Sequence, residues 1–272
     1  MAKKQTKKEL IKDKKRVRNI TVYVVLRALV IVTMILQILN KNWNDVFLCV
    51  LTLILLMIPA IVNKRLNIEL PSALEAVILI FIYAAEILGE IQNFYGIFKH
   101  WDTILHTING FITAAIGFSL VDILNQNEKI SFTLAPIFVA LVAFCFSMTI
   151  GVMWEFFEYG MDTFARTDMQ KDRIVSSISS VKLNEKEENK QIIIKNIEET
   201  KILGEIDNEK KEIIIENGFL DVGVNDTMKD LIVNGVGAMV FSFLGYLYIK
   251  QRTDGKFIKQ FLPRLKKKEI KT

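Results

Sequence analysis

Residues 101–110 read WDTILHTING and open an apolar segment that extends to about residue 124. Asp102 and His106 are four residues apart, so in a helix they lie on one face, about 40° from each other. Ionisable groups inside a membrane span are energetically costly and usually have a partner or a function. The stretch therefore predicts a membrane helix that carries a functional polar group at one end.

The rest of the chain has the same apolar character. Of its 272 residues, 51% are hydrophobic. They occur in blocks close to the roughly 20 residues that cross the hydrocarbon core of a bilayer as a helix. We therefore predict an all-α membrane protein, a bundle of six transmembrane helices. The predicted spans are residues 20–39, 46–62, 72–89, 101–124, 132–157 and 231–249.

Lysine and arginine residues set the predicted orientation. Residues 1–19 contain nine basic residues against two acidic ones, and residues 250–272 contain the same numbers. Such segments stay on the cytoplasmic side, and an even number of spans places both there. We expect a multi-pass protein of a bacterial inner membrane with cytoplasmic tails at residues 1–19 and 250–272, five spans within residues 20–164 and the sixth within residues 229–249.

The formal net charge of +5 arises from these basic tails. We therefore expect no nucleic-acid partner, and membrane lipids are the expected contacts. Neither a protein partner nor an oligomeric state follows from the sequence.

Residues 165–228 form a charged insertion that we place outside the cytoplasm. The β-branched runs at residues 191–194 and 212–215, with residues 201–206 between them, favour short strands with a turn at residues 207–211. We predict a small external β-hairpin here, and a flexible charged linker is the alternative.

Four of the predicted spans carry polar side chains at the end that faces outward in this orientation. Within each span these side chains share one helix face. We therefore predict one shared polar site near the outer surface, with the first two spans as peripheral supports. The residues are Glu86, Glu90 and Asn93; Asp102, His106 and Asn109; Glu155, Glu158 and Asp162; and Asp226, Asp230 and Asn234.

The residue types limit the chemistry of such a site. Several carboxylates in a small volume cannot all stay ionised without protons, a cation or water between them. Carboxylates with one imidazole suit a divalent cation, namely Mg²⁺, Mn²⁺ or Zn²⁺. The candidate metal ligands are Asp102, His106, Glu155, Glu158 and Asp230, of which His106 and Glu155 are also the catalytic candidates. The other polar-site candidates are Glu86, Glu90, Asp162, Asp226 and Asn234.

Simpler roles stay open for single residues. Asp226 can act as the N-cap of the sixth helix. Glu155 and Glu158 can be acidic residues at the membrane interface. Glu90 can be a solvated residue at the edge of a loop, and His106 can be a histidine that packs in the bundle with a hydrogen bond.

Three functions fit the pattern. The first is a divalent-metal-dependent protein that acts on an envelope lipid or phosphodiester. The second is a small proton- or ion-coupled transporter. The third is a non-catalytic membrane scaffold whose insertion binds a partner.

The motifs WDTILHTINGF, WEFFEYGMD and DVGVNDTMKDLIVNGVGA resemble the YjdF-like family of uncharacterised bacterial inner-membrane proteins. The resemblance covers most of residues 70–250. It implies a compact helix bundle. Because the family has no established activity, the resemblance implies none for this chain. The polar-site residues that it implies are Asp102, His106, Glu155, Glu158, Asp162, Asp226, Asp230 and Asn234. The chain departs from the family pattern at residues 171–217, where a shorter loop is expected.

A weaker resemblance links the chain to VanZ-type proteins, which also place Asp, His and Glu near helix ends. This second resemblance implies cell-envelope glycopolymer or lipid chemistry.

Overall fold

The structure is a computed structural model that describes residues 7–65, 68–125, 134–186, 188–251, 255 and 257–265. Among these residues, six helices are long and apolar enough to cross a membrane. This result confirms the predicted six-helix membrane protein. The candidate spans are Asn19–Leu39, Trp43–Arg65, Ser72–Ile91, Trp101–Leu124, Pro136–Ala165 and Val224–Gln251.

Within the described residues, eight α-helices form these spans and their connections. They are α1 (Lys7–Leu39), α2 (Trp43–Leu55), α3 (Ile58–Arg65), α4 (Ser72–Tyr83), α5 (Phe94–Ile97), α6 (Trp101–Asn125), α7 (Pro136–Gly160) and α8 (Val224–Gln251). The second span is interrupted between α2 and α3 because the ring of Pro59 clashes with the carbonyl group of Leu55, where α2 ends. The π-helical segments Ala84–Ile91 and Met161–Ala165 extend α4 and α7, and neither was predicted.

Short antiparallel strand pairs accompany the helices. One pair joins β1 (Ile68–Glu69) to β8 (Arg264–Leu265). Within the insertion, β2 (Ile174–Val175) pairs with β7 (Phe219–Leu220), and β3 (Ile178–Ser180) pairs with β4 (Ile192–Ile194).

The longest pair is the hairpin of β5 (Glu199–Ile206) and β6 (Glu209–Glu216). Asp207 and Asn208 connect these strands, with φ angles of 53° and 66°. Positive φ at both central residues is the requirement of a type I′ turn, which Asp and Asn tolerate well. The predicted hairpin is therefore confirmed.

The chain divides into two compact units. The first comprises Met1–Gly151 and Leu231–Thr272, and the second comprises Val152–Asp230. The boundaries between the units fall inside α7 and α8, both of which are uninterrupted helices. Within the first unit, Ile258 and Leu262 pack into an apolar cluster with Phe118 and Phe241. The packing of this segment beyond α8 was not predicted, because basic residues dominate its composition.

Helices α6 and α8 approach each other closely at two glycines of the first unit. A Cβ atom at Gly110 would lie 2.0 Å from the carbonyl oxygen of Asn234, and one at Gly237 would lie 2.0 Å from the carbonyl oxygen of Thr107. The two backbones therefore contact each other directly, as small residues permit in membrane helix pairs. This contact determines which residues of α8 face the first turns of α6.

Substitution of either glycine tests this contact. We expect Gly110→Ala and Gly237→Ala each to destabilise the protein by about 1–3 kcal/mol or more, because the added methyl group must push the two backbones apart. Thermal unfolding of the purified protein in detergent measures the effect. Gly235→Ala is the matched control on α8, since its Cβ atom would meet only the side chain of Met148, at 3.4 Å or more. Equal unfolding temperatures for Gly235→Ala and Gly237→Ala would contradict the proposed packing role.

Candidate metal site

A buried polar network joins α6, α7 and α8 inside the first unit. The Nδ2 atom of Asn109 donates to Oδ1 of Asn234 at 3.1 Å, and Nδ2 of Asn234 donates to the carbonyl oxygen of Ser147 at 3.4 Å. The hydroxyl group of Ser147 donates to the carbonyl oxygen of Gly110 at 2.9 Å and lies 2.8 Å from the hydroxyl group of Thr113. The network fixes the rotation of the three helices about their axes.

The candidate metal ligands lie about one helical turn from this network, toward the first residues of α6 and α8. Oδ1 of Asp102 lies 3.3 Å from Nε2 of His106. One ligand atom each from Asp102, His106 and Asp230 lies within 4.8 Å of the others. Asp230 precedes Asn234 by one turn in the uninterrupted helix α8, so the contact of Asn234 with α6 also positions Asp230.

The spacing of these three side chains is compatible with one divalent cation. Bonds of about 2.0–2.4 Å from ion to ligand place two ligands of the same ion at most about 4–4.8 Å apart. The side chain of Asp230 is 3% exposed, that of His106 is 13% exposed and that of Asp102 is 23% exposed. The group is therefore enclosed on the side of Asp230 and more open at Asp102. These three residues can hold a metal ion.

Lys229 is a charged neighbour of the group that the sequence analysis did not single out. Its Nζ atom lies 3.5 Å from Oδ1 of Asp230. The sequence shows the two residues as neighbours. Adjacent side chains on a helix diverge by about 100°, so the contact could not be predicted from spacing alone.

Two of the predicted polar-site residues have partners that organise the chain next to α7 and α8. Asp162 accepts hydrogen bonds from the backbone N–H groups of Met169 and Gln170, at 2.7 and 2.8 Å. Asp226 is buried and accepts from Arg173 and from the backbone N–H group of Lys171. Both carboxylates therefore fix the path of residues 162–173 within the second unit.

The remaining predicted acids lie outside the three-residue group as the described part of the chain defines it. Glu155 is buried on α7, and Glu158 accepts a hydrogen bond of 2.7 Å from Nε1 of Trp154. Glu86 is buried and Glu90 is half-buried on the π-helical extension of α4. The roles of Glu155 and Glu158 as metal ligands stay predictions.

Asp221 is a residue near the start of α8 that the sequence analysis missed. It accepts hydrogen bonds from the backbone N–H groups of Asn225 and Arg173, at 3.1 and 2.7 Å. Partial burial opposes ionisation here, but these hydrogen bonds outweigh it and lower the pKa of Asp221 below its usual value. Because α8 begins at Val224, Asp226 lies inside the first turn and is not its N-cap residue.

Asp172 has the opposite environment. Burial raises the pKa of its carboxyl group, and the nearby carboxylates of Asp168, Asp221 and Asp162 raise it further. Its charged form is therefore disfavoured in the folded state.

Because the pKa values of Asp221 and Asp172 are shifted in opposite directions, we expect their replacement by asparagine to have opposite effects on stability. Asp221 contributes stability above its unfolded pKa of about 3.9, and the contribution is lost as pH falls through the lower folded value. We expect Asp221→Asn to lower the unfolding temperature at pH 7 and to have a smaller effect in acid.

For Asp172 the sign is reversed, because ionisation opposes folding above the raised pKa. We expect Asp172→Asn to raise the unfolding temperature at pH 7, with a gain that shrinks as pH falls toward about 3.9. Thermal unfolding at pH 7 and at pH 4 checks both variants. A change of unfolding temperature in the same direction for both variants at pH 7 would contradict the environments assigned to the two carboxyl groups.

The buried serines of the first unit provide a test of the polar network. Ser147 has the two partners given above, whereas the buried hydroxyl group of Ser242 has none within the described residues. We expect Ser147→Ala to destabilise the protein by about 0.6–1.7 kcal/mol, the range of hydrogen bonds between membrane helices. Ser242→Ala, the matched control, should leave the unfolding temperature unchanged or raise it. Indistinguishable variants would argue against a stabilising role of the network.

Comparison with known proteins identifies a family for this chain. A family model described as a predicted membrane protein, DUF2238, matches residues 21–251. No curated protein matches the chain, and no solved structure matches it. The matched region contains all three quoted motifs and every candidate site residue.

Proposed function

The chain belongs to the DUF2238 family of predicted membrane proteins, the family of YjdF-like proteins, and we propose that it is a metal-dependent membrane enzyme. The proposed ligands are Asp102, His106 and Asp230, and the proposed substrate is a lipid of the cell envelope with an ester or phosphodiester bond. The observation that carries this proposal is the approach of the three ligand atoms to within 4.8 Å of one another.

The ligand set favours Mn²⁺ or Zn²⁺ over Mg²⁺. Magnesium is usually bound through oxygen atoms and retains several waters, whereas an imidazole nitrogen is a good ligand for transition metals. Three protein ligands leave positions open for water and substrate, as in catalytic zinc sites.

A metal ion held by these residues would supply a Lewis acid and would lower the pKa of a bound water molecule. His106 is a ligand in this proposal, which leaves the buried Glu155 as the candidate general base. The ammonium group of Lys229 adds positive charge beside the ligands, and this charge favours an anionic substrate such as a phosphodiester.

Exposed apolar side chains on the outer faces of the two helices that carry the ligands support a lipid substrate. Ile104 lies about 200° around α6 from Asp102 and is 51% exposed, and Ile232 lies about 200° around α8 from Asp230 and is 63% exposed. In a membrane, such side chains contact lipid. The basic tails support cytoplasmic termini, and this orientation places the site at the outer leaflet.

The packing below the site supports an enzyme over an ion-coupled transporter. The rings of Phe111 and Phe118, which come before and after Thr113 in α6, contact that of Phe241, with centroid distances of 5.0 and 6.0 Å. A proton or ion path needs polar groups or water across the bilayer. Among the described residues of α6 and α8, the buried hydroxyl groups farther from the ligands than Thr113 do not extend the network, because that of Ser119 donates to the carbonyl oxygen of Ala115 in its own helix and that of Ser242 has no partner.

Metal analysis tests the proposal. We expect the purified protein, dialysed against Mn²⁺ or Zn²⁺, to bind about one ion per chain. His106→Ala and Asp230→Asn should weaken binding at least about tenfold, because each removes a ligand. Asp122→Asn is the matched control, since Asp122 lies on the same helix α6 about 24 Å beyond His106 at 1.5 Å per residue.

Activity is measured separately, with the metal-loaded protein and vesicles made from bacterial envelope lipids. We expect mass spectrometry to detect a cleaved or transferred headgroup, and His106→Ala to abolish the product. Absence of bound metal in the wild-type protein, or equal metal binding by all four proteins, would overturn the proposal. Metal binding without any lipid product would retain the metal site and reject the enzyme.

A further inference from the structure

An apolar cavity lies in the first unit, in the half of α6 that is remote from the metal ligands. Its volume is about 200 Å³, and its walls include Val62, Ile78, Ile116, Leu120 and Pro263. Ile116 follows His106 by ten residues, so the cavity begins about 15 Å farther along the helix. It is therefore distinct from the candidate metal site.

The cavity opens toward the lipid-facing surface of the bundle. Ile58 and Leu120 line it and are 44% and 40% exposed. Ser119 supplies the one hydroxyl group among the described lining residues, and that group donates to the carbonyl oxygen of Ala115 at 2.8 Å. An apolar cavity without polar partners does not hold ordered water but accepts apolar molecules. In a membrane the apolar molecule at hand is a lipid acyl chain.

Basic side chains follow the lining residues at two separate places in the sequence. Lys64 and Arg65 end α3 two and three residues after Val62, and Arg264 directly follows Pro263. The antiparallel pairing of β1 with β8 places Arg264 opposite Glu69. The edge of the cavity thus combines three basic residues with one acidic residue, and the three basic side chains are exposed. The charge is complementary to an anionic headgroup.

We propose that this cavity and its basic edge bind one anionic phospholipid. An acyl chain occupies the cavity, and the phosphate group lies among Lys64, Arg65 and Arg264. Basic pockets between membrane helices on the cytoplasmic side are suited to anionic lipid headgroups, and the predicted orientation places this edge on that side. The proposal does not depend on the metal site or on its chemistry.

Native mass spectrometry of the full chain tests the proposal, with equal amounts of phosphatidylglycerol and phosphatidylcholine. We expect at least tenfold greater retention of phosphatidylglycerol, with one lipid bound per chain. The triple variant Lys64→Gln, Arg65→Gln and Arg264→Gln should lose this preference. The matched control is Lys201→Gln, Lys210→Gln and Lys211→Gln, which removes the same charge from the β5–β6 hairpin and should retain the preference.

A second variant tests the cavity itself. Val62→Trp fills the cavity and should reduce retention of phosphatidylglycerol to the level of the triple charge variant. If Val62→Trp does not fold, as judged by circular dichroism, the charge variant and its control decide the question alone.

Equal retention of the two lipids by the wild-type protein would overturn the proposal, as would undiminished preference in the triple charge variant. If Val62→Trp converts a dimer into a monomer and leaves lipid retention unchanged, a second copy of the chain occupies the cavity, and the lipid proposal fails.

Discussion

The direct backbone contact of α6 with α8, at Gly110 and Gly237, is the constraint on which the polar interior of the first unit depends. Lipid offers helices no hydrophobic reason to associate, so close packing and hydrogen bonds between helices must hold them together. With a Cβ atom at either glycine, the backbones would separate and the hydrogen bond from Asn109 to Asn234 would lengthen beyond its present 3.1 Å. The same separation would carry Asp230 away from His106, because Asp230 lies one turn from Asn234.

Two kinds of carboxylate occur in this chain, and their partners distinguish them. Asp162, Asp221 and Asp226 each accept hydrogen bonds from backbone N–H groups, which stabilise the ionised form and fix the chain around it. Ligand atoms of Asp102 and Asp230 instead lie within 4.8 Å of each other and of a ring nitrogen of His106. Carboxylates so close repel each other unless a positive charge lies between or beside them. The carboxylates that accept backbone N–H groups fix the path of the chain. The carboxylates of Asp102 and Asp230 form a group in which a cation would be stabilised.

The features that depend on residues close together in the chain could be predicted from the sequence. The six spans follow from hydropathy because backbone groups in lipid must be paired within a helix. The hairpin follows from β-branched runs around Asp207 and Asn208, and the contact of Asp102 with His106 follows from their spacing. The rotation of each helix about its axis could not be predicted, because it depends on the glycine contact. The π-helical turn also changes the helical period around Glu86 and Glu90, so a wheel at 100° per residue misplaces their faces.

The charges around His106 give a physical reason to favour a bound cation over a proton relay. Metal ligation requires a neutral imidazole and ionised carboxylates, so Asp102 and Asp230 together bring two negative charges to the group. The ammonium group of Lys229, 3.5 Å from Asp230, offsets one of them. A divalent cation would offset the remainder and would leave a net positive charge that suits an anionic headgroup. A relay would need the polar network to continue beyond Thr113. Among the described residues, the hydroxyl group of Ser119 instead donates to its own helix, that of Ser242 has no partner, and the ring of Phe118 contacts that of Phe241. The electrostatics and the packing thus both favour a site that is approached from one face of the membrane.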